Sequence, residues 1–313
     1  MIDTAQGHGP GPVRPPFWKR LRREVRVRAL LLAFPLLSRL PHRLAVAVGG
    51  AVGFLAWFLV AKERRLALAH LAIAFPALDE RSRARIGRAS FVNLGRSALE
   101  LAAASALQPR LAAVAQVGPA EAKLLRAAHE AGRGVIFISC HVGNWELLAR
   151  RIILEGYRAG TVAREAQDPR LTALLERSRR SAGLQTLWRG KPGLARELLR
   201  LLREGAFVGL LIDQDIDAQG HFVPFFGRLA FTPRAAGDLA VRTGAAVVFG
   251  CIHREESTRH RVVIRRIPVP ETGDRELDAL SVTAAATRAI EEEIRARPDE
   301  WVWMHRRWRT QAS

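Results

Sequence analysis

RGVIFISCHVGNWELLARR, residues 133–151, is the stretch of sequence that decides the fold. Its apolar run, residues 134–139, has the length and composition of a buried strand. His141 follows the strand, Gly143 allows a tight turn, and a helical pattern begins at about Trp145. Such strand–turn–helix units build parallel sheets, and α/β proteins place their sites at the carboxyl ends of the strands. The segment therefore predicts a parallel sheet with a site at His141.

The same alternation of strands and helices continues along the chain. Further strands are predicted at residues 160–163, 206–212, 246–252 and 261–267. Helical patterns accompany them at residues 121–130, 146–155, 169–182, 192–204, 233–243 and 283–297. Upstream, Asp79 is predicted to cap a long helix that runs to about Leu107. The predicted fold class is α/β, with a mixed, largely parallel sheet flanked by helices.

Arginine dominates the charge of this chain of 313 residues, in which 49 Lys and Arg face 30 Asp and Glu for a net charge of +19. Arginine makes planar, bidentate contacts with phosphates and carboxylates. An anionic partner is therefore expected: nucleic acid, an anionic lipid surface or an acidic protein. A bias in genomic base composition would produce the same excess of arginine.

The N-terminal region has the pattern of a membrane anchor. Residues 1–28 are rich in Gly, Pro and basic side chains and are predicted to be disordered, residues 29–62 form the anchor, and residues 63–313 form one α/β domain. Residues 44–61 carry no charge, and as a helix they would extend about 27 Å. That length is borderline for a hydrocarbon core of about 30 Å, so a full span and a shallow or re-entrant helix both remain open. A buried core helix is the alternative outside a membrane.

His141 and Glu146 are the candidate catalytic pair. On one regular helix, residues five apart point about 140° away from each other, so the two can pair only if His141 precedes the helix. A histidine held by a carboxylate is a general base that can deprotonate an attacking hydroxyl. Free N–H groups at the helix start, or a nearby arginine, could stabilise the oxyanion that forms. By itself, a pair with this spacing is more often structural than catalytic.

The two cysteines, Cys140 and Cys251, both lie in apolar runs. They indicate neither a disulfide framework nor a zinc site, and they fit a reducing compartment. Neighbours along a strand point to opposite faces, so Cys140 is expected to be a core residue and not a nucleophile working with His141. No metal and no organic cofactor are expected.

CHVGNWELLARR, residues 140–151, resembles the His-x4-acid motif of the lipid A late acyltransferase family, the lauroyl and myristoyl transferases. The family's His-x-Gly-x-Trp-Glu core is matched by His141, Gly143, Trp145 and Glu146. Downstream, residues 162–183 resemble the family's strand that ends in arginine and is followed by an Asx-Pro turn and a helix. The matching positions there are Arg164, Asp168 and Pro169.

Two further motifs follow in the family's order. LLIDQDIDAQGHFVPFFG, residues 210–227, resembles Asp-Gln-Asp followed by Phe-Val-Pro-Phe-Phe-Gly. PDEWVWMHRRWR, residues 298–309, resembles the family's C-terminal signature. Its aromatic and basic residues suit a membrane interface, stacking on nucleic acid or a packed terminal helix. The resemblance covers roughly residues 40–310, and four motifs in the correct order make it specific.

The resemblance implies an acyltransferase domain over residues 63–313, at the cytoplasmic face of a bacterial inner membrane. It implies an acyl-carrier-protein thioester as donor and a hydroxyl of a phosphorylated glycolipid as acceptor, with inner-membrane lipids as further partners. His141 would be the base and Glu146 its partner. The substrate-binding residues would be Arg164, Asp213, Asp215, Asn144, Trp145, Phe222, Phe225 and Phe226. Turn capping for the two aspartates and ordinary core packing for the three phenylalanines are the structural alternatives.

Three other functions compete with a lipid A acyltransferase. The first is an acyltransferase of another glycolipid, such as a phosphatidylinositol mannoside, because the family resemblance extends to those enzymes. The second is a non-catalytic, basic, membrane-tethered binding module, which would have clustered arginines without a catalytic pair. The third is a thiol-dependent hydrolase acting through Cys140. The presence of His141 and Glu146 argues against the non-catalytic module, and the opposite orientation of the neighbours Cys140 and His141 argues against the hydrolase. Nucleic acid is not expected as a partner.

Overall fold

A computed structural model describes residues 17–256 and 258–311. Helices make up most of the first hundred residues and then alternate with strands. The helices are α1 (Phe17–Leu37), α2 (His42–Leu59), α3 (Ala61–Ala74), α4 (Glu80–Ala102), α5 (Ala104–Leu107), α6 (Leu111–Val114), α7 (Pro119–Glu130), α8 (Trp145–Leu154), α9 (Pro169–Arg180), α10 (Leu194–Arg203), α11 (Ala235–Thr243) and α12 (Arg275–Ala296). Short 3-10 helices form at Gln108–Arg110 and Pro298–Glu300.

The strands form one large sheet and one separate hairpin. They are β1 (Ala115–Gln116), β2 (Val135–Ser139), β3 (Ala159–Ala163), β4 (Leu184–Trp188), β5 (Phe207–Leu211), β6 (Gly220–Phe225), β7 (Arg228–Pro233), β8 (Ala246–Arg254) and β9 (His260–Ile267). The order in the large sheet is β1-β9-β8-β2-β5-β3-β4, and every pairing is parallel except that of β8 with β9. The predicted α/β class with a mixed, largely parallel sheet is confirmed.

Helices cover both faces of the central strands. Every residue of β2 is buried, as expected for a parallel strand that packs on two sides. On one face, Phe137 and Phe207 pack with Leu148 and Ile152 of α8. On the other face, Ile136, Ile138 and Val208 pack with side chains of α10, α11 and α12, among them Leu198, Leu239 and Ile290. The strand–turn–helix unit at residues 135–154 therefore lies at the centre of the domain.

The N-terminal residues differ from the sequence prediction. Residues 1–16 lie outside the described residues, but residues 17–28, expected to be disordered, are the first part of α1. Both carboxylate oxygens of Glu24 accept hydrogen bonds from Arg170 of α9, at 3.0 and 2.7 Å. This contact, between partners 146 positions apart in the sequence, could not be inferred from local composition. Asp79 does cap α4, as predicted, by accepting from the backbone N–H of Ser82.

Helix α2 packs backbone to backbone against α4. A β-carbon on Gly49 would lie 2.4 Å from the carbonyl oxygen of Gly95, and one on Gly53 would lie 2.1 Å from that of Phe91. Only glycine permits this approach. Among the described residues, α2 is the one helix that is long and apolar enough to cross a membrane by length and composition.

Replacing Gly53 with alanine is expected to lower the melting temperature, although alanine favours a helix over glycine by about 1 kcal/mol. The new methyl group forces α2 and α4 apart, and such overpacking typically costs about 1–3 kcal/mol. Thermal unfolding in detergent would be compared with that of Ala51→Val, a control on the exposed face of the same helix. An unchanged or higher melting temperature for Gly53→Ala would contradict this packing.

Candidate active site

His141 and Asp213 form a hydrogen-bonded pair at the carboxyl edge of the sheet. His141 follows β2 and Asp213 follows β5, and these two strands are neighbours in parallel register. Nδ1 of His141 lies 2.8 Å from Oδ1 of Asp213, and the backbone N–H of His141 donates to Oδ2 at 2.8 Å. The indole N–H of Trp301 donates to the same Oδ2 at 2.8 Å. Three donors from two other segments therefore hold this carboxylate.

Asp213 is ionised in this environment despite its burial. Burial opposes ionisation of a carboxyl group, but the charge and hydrogen bonds of His141 and the indole of Trp301 outweigh it. Together they hold the pKa of Asp213 well below its usual value. An ionised carboxylate only accepts hydrogen bonds, so when the His141 ring is neutral its single proton lies on Nδ1 and Nε2 is the basic nitrogen.

Glu146 does not contact His141 as expected from the sequence. Its carboxylate instead accepts two hydrogen bonds from Arg179 of α9, with Nε–Oε2 at 3.1 Å and Nη2–Oε1 at 2.5 Å. Asp213 already occupies the Nδ1 side of the His141 ring, so the predicted pairing is corrected to His141–Asp213. The third nitrogen of Arg179, Nη1, is buried without a hydrogen-bond partner among the described residues.

The turn between His141 and α8 is held in place by a backbone hydrogen bond, a close backbone approach and a helix cap. Gly143 has a φ of 61°, and its N–H donates to the carbonyl of Glu300 at 3.0 Å. A β-carbon on Gly143 would lie 1.8 Å from the carbonyl oxygen of Ile252, so glycine is required here. Asn144 caps α8 by accepting from the backbone N–H of Leu147 at 3.2 Å.

Asn144 was expected to bind substrate, but the structure buries its side chain. Its amide donates to Oε2 of Glu100 at 3.0 Å and to the carbonyl of Ser97. Glu100 is fully buried and also accepts from Arg254, and it lies within hydrogen-bond distance of His42 and His260. Asn144 is therefore a structural cap that connects the turn to a buried carboxylate. Trp145, the next residue, does face the site, with its ring 4.7 Å from that of His141.

Gln214 lies between His141 and a second histidine, His305. Its side-chain nitrogen is 2.7 Å from Nε2 of His305 and 3.1 Å from both ring nitrogens of His141. Burial, together with the charge of His141, lowers the pKa of His305 to about 4. His305 is thus neutral at pH 7 and can accept a hydrogen bond from the Gln214 amide.

A cavity of about 590 Å³ opens beside His141. Its apolar wall comes from the sheet, α8 and α10, and includes Phe137, Leu148, Ile152, Leu184, Leu198 and Phe207. Charged and polar side chains line the rest, among them Glu146, Arg164, Arg179, Arg189, Gln214 and Arg234. Arg234 pairs with Asp238 and Glu276, whereas Arg164 and Arg189 form no ion pair with a described residue. The site thus combines a basic nitrogen, an apolar cavity and unpaired cations.

The other predicted substrate-binding residues lie outside the cavity lining. The side chain of Asp215 accepts hydrogen bonds from the backbone N–H and the hydroxyl of Thr310, at 2.6 and 3.0 Å. Phe222, Phe225 and Phe226 belong to the β6–β7 hairpin and its turn. Phe225 is buried against Trp301, and Phe226 packs on Phe225 with ring centroids 4.9 Å apart. Core packing, the structural alternative, describes Phe225 and Phe226, whereas Phe222 is half-buried. Asp215 does not cap its own turn as the alternative expected, because it accepts from Thr310 instead.

The C-terminal motif is part of the core and of the site. Trp301 and Trp303 are almost fully buried, which excludes the membrane interface for these two rings. Residue 142 pairs with Trp301 in an isolated antiparallel bridge, so the motif runs directly beside the His141 turn. The sequence identifies this motif and the Asp-Gln-Asp motif, but it did not predict roles for Gln214, Trp301 and His305. Those roles depend on contacts between distant segments. Arg179 was also missed, because it matches none of the family's motif positions.

The fold, a mixed, largely parallel sheet flanked by helices, is consistent with an α/β acyltransferase. The sequence model of the family described as bacterial lipid A biosynthesis acyltransferase matches residues 17–310, and the chain belongs to this family. The chain is 24% identical over 278 residues to the lipid A biosynthesis lauroyltransferase of Escherichia coli, covering 88% of each chain.

The chain is also similar to mycobacterial enzymes. It is 25% identical over 187 residues to the phosphatidylinositol mannoside acyltransferase of Mycolicibacterium smegmatis, covering 59% of this chain and 60% of that enzyme. The corresponding enzyme of Mycobacterium tuberculosis is 26% identical over 187 residues, or 57% of its length. The aligned region therefore spans less than two thirds of these mycobacterial relatives.

The His305→Gln variant is expected to show a flatter dependence of stability on pH than the wild type. His305 has a pKa of about 4 in the folded protein, against about 6.5 in an unfolded chain. Between these values the unfolded chain binds a proton that the folded protein rejects. The stabilisation by neutral His305 is complete above pH 6.5 and is lost as the pH falls towards 4. Melting temperatures measured from pH 7 to pH 4 would test this, and parallel curves for both proteins would contradict it.

Proposed function

We propose that the protein transfers a fatty acyl chain from an acyl-carrier-protein thioester to a hydroxyl of a lipid A precursor or a related phosphorylated glycolipid. The observation that carries this proposal is the His141–Asp213 pair, which leaves a basic Nε2 beside a large apolar cavity lined by arginines. A base, a place for an acyl chain and cations for phosphate are the three requirements of the reaction.

His141 acts as the general base in this proposal. With the ring proton on Nδ1 and hydrogen-bonded to Asp213, Nε2 accepts the proton of the acceptor hydroxyl. The hydroxyl oxygen attacks the thioester carbon, a carbon–oxygen bond forms, and the carbonyl becomes a tetrahedral oxyanion. When the intermediate collapses, the carbon–sulfur bond breaks and the thiolate takes the proton from His141. Asp213 is a positioning residue that fixes the tautomer and stabilises the imidazolium.

Glu146 is proposed to act through Arg179. The two hydrogen bonds that Arg179 donates to Glu146 orient the guanidinium group in the cavity wall, and its buried Nη1 has no hydrogen-bond partner among the described residues. Buried N–H groups are normally satisfied, and Arg179 lines the cavity, so its Nη1 is proposed to donate to an oxygen of the substrate. Arg179 and the amide of Gln214 are the proposed donors to the oxyanion.

The remaining arginines suit the phosphates of the acceptor. Arg164, at the end of β3, and Arg189, at the end of β4, line the cavity without an acidic partner among the described residues. Arginine binds phosphate oxygens in bidentate fashion. The apolar wall beside α8 is the proposed place for the acyl chain, because it buries hydrocarbon next to the reacting carbon.

The net charge and the N-terminal helices support the proposed donor and the proposed location. A net charge of +19 favours an acidic carrier protein and anionic lipids as partners. Helix α2 and the apolar second half of α1, residues 29–37, are proposed to hold the enzyme on the bacterial inner membrane with the catalytic domain on the cytoplasmic face. An acyltransferase of a phosphatidylinositol mannoside is the second candidate, supported by the mycobacterial relatives.

Acyl transfer is expected to fall by about 10²–10⁴-fold in His141→Ala, the range attributed to a general base. Asp213→Asn is expected to lose activity of a similar order, because the amide can stabilise the wrong tautomer of His141. The assay would use purified protein in detergent, long-chain acyl-carrier-protein and a panel of lipid acceptors. Lys123→Gln, an exposed substitution on α7, is the matched control and should keep full activity.

The acceptor panel separates the two candidate functions. Transfer to a Kdo-bearing lipid A precursor, lost in His141→Ala, would support the first proposal. Transfer to a phosphatidylinositol mannoside alone would support the second and keep the mechanism. Equal transfer by the wild type and His141→Ala would refute the proposed mechanism, and no transfer to any acceptor would contradict both candidates.

Glu146→Gln and Arg179→Gln are each expected to lower the activity. Their effects on the free energy of activation should not be additive in the double variant, because each substitution removes the same ion pair. The logarithm of the rate loss in the double variant should be close to that of the more severe single variant. The pH profile of kcat/KM should keep its shape, since Glu146 does not contact His141. Additive losses, or a shifted pH profile in Glu146→Gln, would indicate a direct action of Glu146 on the base.

A further inference from the structure

Helix α2 lies along α4 over its whole length. The contacts run in antiparallel order: His42 is 2.9 Å from Glu100, Gly49 meets Gly95, and Gly53 meets the backbone of Phe91. At the far end, the ring of Trp57 packs edge-on against Phe91 at 5.3 Å and lies over Gly87. No turn of α2 is separate from α4, so α2 cannot cross a bilayer without α4 beside it.

The side of α2 opposite α4 is an exposed apolar stripe, here called the α2 stripe. Its exposed members are Leu44, Val52, Leu55, Phe58 and Leu59, together with Phe54 at its edge, whose ring centroid lies 5.9 Å from the guanidinium of Arg88 of α4. Leu59 is 79% exposed, and the six side chains form a continuous apolar face of about 15 residues. The buried residues of α2, such as Ala45, Gly49 and Gly53, point the other way towards α4.

Helix α4 is too polar to accompany α2 across a bilayer. Arg81, Arg85 and Arg88 are exposed along it, and Glu100 is part of the buried network under the His141 turn. Charged side chains are strongly disfavoured in the hydrocarbon core. A transmembrane α2 would have to leave α4 and break the His42–Glu100 contact and the glycine packing. The apolar composition of α2 fits a transmembrane span, but its packing against α4 opposes one.

Exposed cations flank both ends of α2. Arg39 and Arg43 lie at its beginning, and Lys62 and Arg65 lie just after its end. A spanning helix has its excess of cations on the cytoplasmic side alone. Cations at both ends fit a helix whose two ends reach anionic headgroups of the same leaflet.

We propose that α2 lies in the plane of the membrane surface, with the α2 stripe in one leaflet and α4 on the aqueous side, and that it does not cross the bilayer. The occupant of the stripe is a lipid bilayer with anionic headgroups. This inference rests on the membrane association in the proposed function, but it does not depend on acyl transfer. In this arrangement a single carboxylate, that of Glu100, connects the surface-bound helix to the Asn144 cap beside His141.

Depth measurements at single positions test this arrangement. Leu44→Cys, Leu55→Cys and Leu59→Cys replace exposed side chains and leave the α4 face intact. Each purified full-length variant would carry a nitroxide label and be added to preformed anionic vesicles. Wild type, whose two cysteines are buried, is the labelling blank, and Lys123→Cys on α7 is the aqueous control.

The expected result is the same shallow depth, about 5–10 Å, at all three positions. A membrane-impermeant reductant added outside the vesicles should quench the labels at Leu44→Cys and Leu59→Cys to the same extent. A spanning helix would separate these two positions by about 22 Å and place them in opposite leaflets, with Leu59→Cys protected from the reductant or Leu44→Cys protected.

Protection of one end alone would overturn the proposal, and so would labels that remain fully aqueous with vesicles present. Acyl transfer measured on the same vesicles distinguishes this outcome from a failure of the proposed function. Equal shallow depths without activity would support the in-plane helix and count against the acyltransferase proposal. Activity with the two ends in opposite leaflets would support the acyltransferase proposal and overturn the in-plane helix.

Discussion

The buried carboxylate of Asp213 is the interaction on which the site depends. It accepts hydrogen bonds from the ring and backbone of His141 and from the indole of Trp301. A buried charge without such donors is strongly destabilising, so the three segments that supply and receive these bonds must come together for any of them to be stable. The position of the His141 ring, its tautomer and the course of the C-terminal motif are therefore set by one group. The parallel neighbours β2 and β5 bring the ends of their strands together and make this possible.

A second buried carboxylate, Glu100, connects the site to the N-terminal helices. Arg254 and His260 reach it from β8 and β9, His42 from the first turn of α2, and Asn144 from the cap of α8. Because every partner comes from a different element, the apolar surface of α2 and the catalytic turn share one fixed support. A membrane bound to α2, as proposed, would thus lie at a defined distance from His141.

Local pattern predicted the parts of the structure that local chemistry determines. The strand at residues 134–139, the turn at Gly143 and the helix after it follow from a buried apolar run and one glycine, and the site at His141 follows from the strand end. The partner of His141 could not be inferred in this way, because Asp213 is 72 residues away and becomes a neighbour only through the strand order. Glu146, close in sequence, instead meets Arg179 on the next helix. The hairpin that carries Phe225 and the buried Trp303 were likewise determined by packing against distant segments.

The buried thiol of Cys140 can report on local opening of the native protein without any added label. Its thiol is fully buried one residue before His141, and burial raises its pKa well above that of a free cysteine. A thiol reagent can reach it only when β2 and the adjoining turn open, so the rate of modification under native conditions measures the free energy of that opening. Cys251, equally buried in β8, reports on the neighbouring strand in the same reaction. The two thiols can therefore reveal whether the catalytic turn opens alone or together with the sheet.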